Sequence, residues 1–302
     1  MKKSHNNCYN YFIIKTVKKL IKTIKRENPL FPSLLTKTAS CPSLLFYRGE
    51  LPKQDEICVS IVGTRKASRD GLNTARSIAY ELAEVGISII SGLALGIDGS
   101  AHEGALLGGG KTYAILANGL NSVYPRQHEF LAENIIKSRG GVISEYPPDT
   151  PSYPNQFLER NRIISGMSIA TVVIEAPKRS GSLATARLAL EEGRDVFVIP
   201  GQPLNKNYQG SHYLIRQGAR LVTCANDILE DLNIEIKTKK QPPTLTETQS
   251  LVIGAFQNTK TLSVDTISEL TKLETHIVTS ALSFLVLKDI VEEKNGMFTL
   301  KR

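Results

Sequence analysis

One stretch limits what this chain can fold into: Val59–Gly104, VSIVGTRKASRDGLNTARSIAYELAEVGISIISGLALGIDGSAHEG. The β-branched run Val59, Ile61, Val62 stops at Gly63-Thr64-Arg65, helical spacing follows from Gly71 to Val85, and a second apolar run, Ile87–Ile90, stops at Ser91-Gly92. Strand, small-residue turn, helix and strand make a βαβ unit. Both turns then fall at the carboxyl ends of parallel strands, where open α/β sheets bind ligands.

The alternation continues along the chain. Helices are predicted over 98–107, 127–138, 161–167, 182–192, 213–217 and 226–232, and strands at 112–117, 141–144, 170–175, 196–199 and 221–222. Residues 145–158, EYPPDTPSYPNQFL, read as a long proline-rich loop. The fold class is α/β, a mostly parallel sheet with helices on both faces. Four segments are expected: a basic N-terminal arm over 1–50, the α/β domain over 51–233, a linker over 234–245 and a C-terminal domain over 246–302. In the last, three helices and a terminal hairpin predict a small winged helix.

The net charge is +8. Residues 1–50 hold ten Lys/Arg against Glu27 and Glu50, which leaves 27 basic and 27 acidic residues in the remainder. Apolar residues from Ile13 to Ile24 at helical spacing, with lysines between them, predict a cationic amphipathic helix. Such a helix docks on the main domain, contacts nucleic acid or lies on a membrane surface. Four scattered cysteines suggest neither a disulfide framework nor a zinc site, and no apolar run reaches membrane-spanning length. A cytoplasmic protein with no membrane insertion is expected.

Three βα turns carry anion-binding chemistry. Gly63, Thr64, Arg65 and Lys66 place backbone N–H groups, a hydroxyl and cations ahead of a helix. Ser91 and Gly92 open the second turn, where Asp98 is a helix cap or a ligand contact and His102 a structural histidine. Lys178, Arg179, Ser180, Gly181 and Ser182 open a third helix. A fourth piece, Phe157-Leu158-Glu159-Arg160-Asn161-Arg162, sets two arginines around Asn161 beside aromatics. Stacking of Tyr146, Tyr153 or Phe157 on bases with the arginines on phosphates is one reading; arginines paired to Glu145 or Glu159 is the other. P-loop and dinucleotide fingerprints are absent, as are a cofactor motif, a metal-ligand motif and a nucleophile–base pair, so no catalytic residue and no cofactor is expected.

The stretches VSIVGTRKASRDG, ISIISGLALGIDGSAHEGAL, VYPRQH, ISEYPPDTPSYPNQFLERNRIISGMS, VVIEAPKRSGSLATARLALEEGRDVFVIPG and LIRQGARLV resemble the DprA/Smf family of bacterial DNA-processing proteins. The resemblance implies an extended Rossmann-like fold that binds single-stranded DNA in a basic pocket. It also implies protection of incoming strands in natural transformation, loading of a RecA-type recombinase, and a homodimer. The pocket would use the four pieces just described. Three departures stand out: Leu95 occupies a position usually held by arginine; the loop reads QGSHYLIRQG where a Cys- or Thr-Asn pair is common before the LIR, which leaves the role of His212 open; and a lysine-rich arm replaces an N-terminal helical domain. The competing class is a nucleotide-cleaving enzyme of the lysine-decarboxylase-like (LOG) type, whose double glycine and glutamate are missing from RSGSLATA.

Overall fold

A computed structural model describes residues 20–234, 246–257, 261–287, 290–294 and 296–300. The chain divides into two compact units, Met1–Lys237 and Thr238–Arg302.

The first unit is built on a nine-stranded sheet: β1 (Lys22–Lys25), β2 (Leu44–Gly49), β3 (Cys58–Val62), β4 (Ser88–Ser91), β5 (Thr112–Ile115), β6 (Gly141–Ser144), β7 (Ala170–Val173), β8 (Asp195–Val198) and β9 (Arg220–Leu221). Their order is β1-β2-β6-β5-β4-β3-β7-β8-β9. All neighbours from β6 to β9 pair in parallel, while β1–β2 and β2–β6 are antiparallel. From β3 the chain winds outward to β6, then returns to the other side of β3 as β7. That reversal opens a crevice above the carboxyl ends of β3 and β7, the place where such sheets take ligands.

The helices are α1 (Ser33–Thr36), α2 (Arg69–Glu84), α3 (Ile97–Leu107), α4 (Glu129–Lys137), α5 (Pro154–Gly166), α6 (Gly181–Glu191), α7 (Gln209–Arg216) and α8 (Ala225–Asp231). Strand periodicity divides the core between them. Val59 and Ile61 join Ala75, Ile78, Leu82 and Ala101 of α2 and α3 on one face. Cys58 and Val62 join Ile163, Ile164, Ala186 and Ala189 of α5 and α6 on the other. Because β3 to β7 are buried at every position, they read as mainly apolar runs rather than as alternation. In α2, Ser68 caps the first turn by accepting from the Gly71 N–H, and buried Ala75, Ile78, Ala79 and Leu82 recur at helical spacing. Helices α2 and α3 meet backbone to side at Gly104, where a Cβ would stand 2.2 Å from the Arg76 carbonyl oxygen.

Two expectations are corrected. The amphipathic helix through Ile24 gives way to a strand: Lys22–Lys25 is extended and pairs with Leu44–Tyr47. Alternation buries Ile24 in the core and leaves the flanking residues exposed, and lysines on an edge strand discourage further pairing. Residues 22–50 thus belong to the sheet domain, not to a separate arm; residues 13–19 lie outside the described residues. The proline-rich loop is also shorter than expected, because α5 begins at Pro154 rather than Asn161. Proline at the first helical position carries a preset φ, and the Gln156 side chain turns back to accept from the Tyr153 N–H at 2.7 Å.

The second unit contains α9 (Glu247–Gly254), β10 (Thr261–Ser263), α10 (Val264–Thr271), α11 (Thr275–Leu287), β11 (Val291–Lys294) and β12 (Met297–Leu300). Its strands form an antiparallel sheet in the order β10-β12-β11 over a core that includes Val252, Ile267, Val278, Leu282 and Phe298. Three helices and the terminal hairpin match the expected elements. Strand β10, three residues long, has too little alternation to be read from the sequence. The predicted linker lies outside the described residues from 235 to 245.

Candidate nucleic-acid interface

A cleft of about 250 Å³ stands at the crevice above β3 and β7. Its floor is the β3–α2 turn. Thr64 donates its backbone N–H to the Glu175 carbonyl oxygen at 2.8 Å, and its hydroxyl accepts from the Lys66 N–H at 3.2 Å. Beneath the turn, the buried Glu175 carboxylate accepts from the Ser68 N–H at 3.0 Å, from the Ser68 hydroxyl, and from Asn207 Nδ2 at 3.0 Å. This brace leaves the exposed Arg65 side chain to cross the cleft, where its guanidinium lies 4.8 Å from the centroid of the Phe157 ring. At that separation the cation and the ring face attract.

The opposite wall comes from α5. Starting the helix at Pro154 puts Phe157, Arg160, Asn161 and Ile164 on one face at helical spacing, and all four line the cleft. Arg162 points elsewhere: it donates to the Ser40 carbonyl oxygen and pairs with Glu145. The ion-pair reading therefore holds for Arg162. Tyr146 donates to Glu159 at 2.7 Å, and neither it nor Tyr153 lines the cleft.

Arg160 is buried, and its role is internal. Nη1 donates to the carbonyl oxygens of Gly92, at 2.8 Å, and Ile115, which end β4 and β5. Asp98 faces it from α3, its Oδ2 accepting from the N–H groups of Gly92 at 3.1 Å and Ala94 at 3.4 Å. Burial pushes the guanidinium down to about 10 while Asp98 supports the charge, and burial raises the Asp98 carboxyl against the opposing pull of Arg160. Gly92 is required here, since a Cβ would meet the guanidinium at 2.5 Å. Ser91 is likewise internal, donating to the Ile61 carbonyl oxygen at 2.6 Å. Asp98 thus ties down the β4–α3 turn, and Gly96 holds the N-cap position of α3.

The third wall is the amino end of α6. Ser180 caps it, its hydroxyl accepting from the Ser182 N–H at 3.3 Å and meeting the Ser182 hydroxyl at 2.7 Å. A Cβ on Gly181 would meet nothing within 4 Å, so the helix end is open. Asn161 donates to the Gly181 carbonyl oxygen at 3.3 Å and joins the α5 and α6 walls. Arg179 is exposed and lines the cleft; Lys178 is exposed beside it. An open helix start with hydroxyls and two exposed arginines is suited to an anion such as a phosphate.

Of the residues expected to form the site, Gly63, Thr64, Arg65, Phe157, Arg160, Asn161, Arg179, Ser180, Gly181 and Ser182 come together in this cleft. Lys66, Ser91, Gly92, Arg162 and Lys178 do not line it. Sequence reasoning alone misses Tyr124, whose ring meets Phe157 edge-on with centroids 5.6 Å apart. Its one signal is an aromatic before Pro125, in a turn that no periodicity marks. His102 is structural, its Nδ1 2.6 Å from the Thr112 hydroxyl, and His212 sits 3.0 Å from the Gly201 carbonyl oxygen. No cluster of three or more His, Cys, Asp or Glu suited to a metal occurs among the described residues.

Comparison with known proteins places the fold and the sequence. Protein Smf of Escherichia coli (strain K12) is 45% identical over 209 residues, covering 69% of this chain and 56% of that protein. DNA processing protein DprA of Streptococcus pneumoniae is 42% identical over 201 residues, covering 67% of this chain and 71% of that protein. The chain thus spans little more than half of the Escherichia coli relative. Among solved structures, the pneumococcal DprA superposes with a TM-score of 0.65 at 38% identity, covering 70% of this chain and 74% of that one. A DNA processing protein A from Helicobacter pylori, studied for its single-stranded DNA binding mode, gives 0.62 at 28% identity, covering 70% and 95%. The family model described as DNA recombination-mediator protein A matches residues 22–233, which hold every wall of the cleft. By fold and by sequence, the chain belongs to the DNA recombination-mediator protein A family.

Proposed function

We propose that the chain is a single-stranded DNA-binding protein of DNA uptake and recombination. The observation that carries this reading is Arg65 poised over Phe157 at the open start of α6. Phosphate is held by Arg65, Arg179 and the backbone and hydroxyls of Ser180–Ser182, while an unpaired base stacks against the Phe157 side. A duplex keeps its bases inside, so the aromatic wall favours a single strand. The names of the pneumococcal and Helicobacter relatives support the same class.

Within this reading the protein binds rather than turns over its ligand. The carboxylate lining the cleft, Asp98, is buried and occupied by two backbone N–H groups, so it is badly placed to activate a nucleophile. That weighs against a nucleotide-cleaving enzyme. Protection of incoming strands, delivery of them to a RecA-type recombinase and action as a homodimer complete the proposal, on the family resemblance. The second unit is read as a winged helix that meets protein, since α11, THIVTSALSFLVL, carries no Lys, Arg, Asp or Glu. No helix among the described residues is long and apolar enough to cross a membrane.

The test is titration of labelled single-stranded and duplex oligonucleotides, with a nucleotide-cleavage assay alongside. Tighter binding of the single strand without cleavage is expected. Equal affinity for both forms, or turnover of a nucleotide, contradicts the proposal.

A further inference from the structure

The cleft does not end at Phe157. Beyond it lies a second cavity of about 720 Å³, within the range of ligand pockets. The two adjoin at two points. Ala94 lines the cleft and its neighbour Leu95 lines the cavity; Phe157 lines the cleft and its ring partner Tyr124 lines the cavity. Leu95 and Tyr124 are 42% and 48% exposed, so an apolar and an aromatic surface stand open at the lip.

The chemistry of the two spaces differs. The cleft presents Arg65 and Arg179 to solvent, while its carboxylate is buried. In the cavity the charged lining residues are one cation, Arg126, and one anion, Glu129. The remainder of its lining is amide, hydroxyl and apolar: Gln127, Asn121, Ser122, Ser152, Val123 and Pro151 among them. A phosphate is held where cations outnumber anions in the lining, as in the cleft and not in the cavity. An uncharged planar base needs an aromatic or apolar face and amide partners for its edge, which the cavity has.

We infer that this cavity is a second nucleotide subsite, which accepts the base next to the one stacked at Phe157. The inference rests on the single-strand reading of the cleft. Tyr124 serves as its stacking surface, and Leu95 as an apolar wall. The Tyr124–Phe157 pair then separates two successive bases while the phosphates stay on the cationic side.

The test uses the full chain and short oligothymidylates carrying one 5-iododeoxyuridine, cross-linked by light and mapped by peptide mass spectrometry. Wild type, Arg65→Ala and Leu95→Trp are compared, with melting curves to confirm folding; Leu95 is exposed, so the larger ring fills the lip without entering the core. Cross-links to both Tyr124 and Phe157 are expected. Leu95→Trp should remove the Tyr124 cross-link and weaken binding by about tenfold. Cross-linking at Phe157 alone, or a Tyr124 cross-link and affinity unchanged in Leu95→Trp, overturns the subsite and leaves the cleft standing. No cross-link at either ring, with Arg65→Ala binding as wild type does, overturns the cleft reading itself.

Discussion

Arg160 donates from Nη1 to the carbonyl oxygen of Gly92 at 2.8 Å, and the same nitrogen serves the Ile115 carbonyl oxygen. One buried guanidinium thus fixes the ends of two adjacent strands and the turn that Asp98 organises. The cleft is framed by this strut more than it is charged by it.

Removing the strut therefore costs stability. Arg160→Ala leaves Asp98 buried without its counter-charge and two carbonyls without a donor. Such losses amount to about 3–5 kcal/mol, or on the order of 10 °C in Tm for a domain of this size. Arg162→Ala breaks a half-buried pair with Glu145 and is expected to cost less. Thermal melts of the two variants check the order; equal Tm values contradict the strut.

Gly96 is the pivot behind Arg65. Its φ is +84°, and a Cβ there would stand 2.4 Å from the Thr64 carbonyl oxygen and 2.8 Å from that of Arg65. Gly96→Ala is expected to lose roughly 1–3 kcal/mol and to weaken oligonucleotide binding, although residue 96 itself does not line the cleft. Chemical denaturation and titration together detect both effects. Unchanged affinity means that the turn does not set the Arg65 position.

His102 gives the fold an acid sensitivity. Burial pushes its imidazole down to about 3, with His128 and Arg160 adding to the shift. The unfolded chain takes up this proton at about pH 6.5, before the folded one does. Stability is therefore full above pH 6.5 and falls as the pH drops toward 3, by about 1.4 kcal/mol per unit at the steepest. Urea denaturation at pH 7 and pH 5 should show this slope in wild type and lose much of it in His102→Gln. An equal slope in both contradicts the assignment.

Much of this was legible in the sequence, and the limits have physical causes. The parallel core was readable because strands covered on both faces are bare apolar runs between small-residue turns, as at Ile87–Ser91. The polar turns could be placed at one sheet edge from topology alone. Which way a cation points could not. Arg160 and Arg162 are two residues apart, and only the start of α5 decides that one faces the cleft and the other Glu145. Reading 145–158 as loop hid that start, because Pro154 marks a break in most contexts and a first helical turn here. Likewise, lysines every three or four residues near Ile24 imitate a helix until Leu44–Tyr47 supplies a strand to pair with.

On the proposed single-strand reading, Arg65 and Phe157 act on the ligand as one stacked unit, so their substitutions should not add. Phe157→Ala removes the base platform, at a cost of about 1–3 kcal/mol, and also frees the guanidinium. In a double-mutant cycle on oligonucleotide affinity, the pair should show coupling of roughly 0.5 kcal/mol or more. Strict additivity contradicts a functional role for the stacked pair.

The central claim is that Arg65 holds a phosphate of a single strand, and salt dependence measures this most directly. Affinity for a single-stranded oligonucleotide is followed over a salt series in wild type and Arg65→Ala. The account predicts weaker binding by Arg65→Ala at low salt and a shallower slope of log K against log salt, by about 0.7 for the one phosphate that Arg65 neutralises. Parallel slopes, or unchanged affinity, would contradict it.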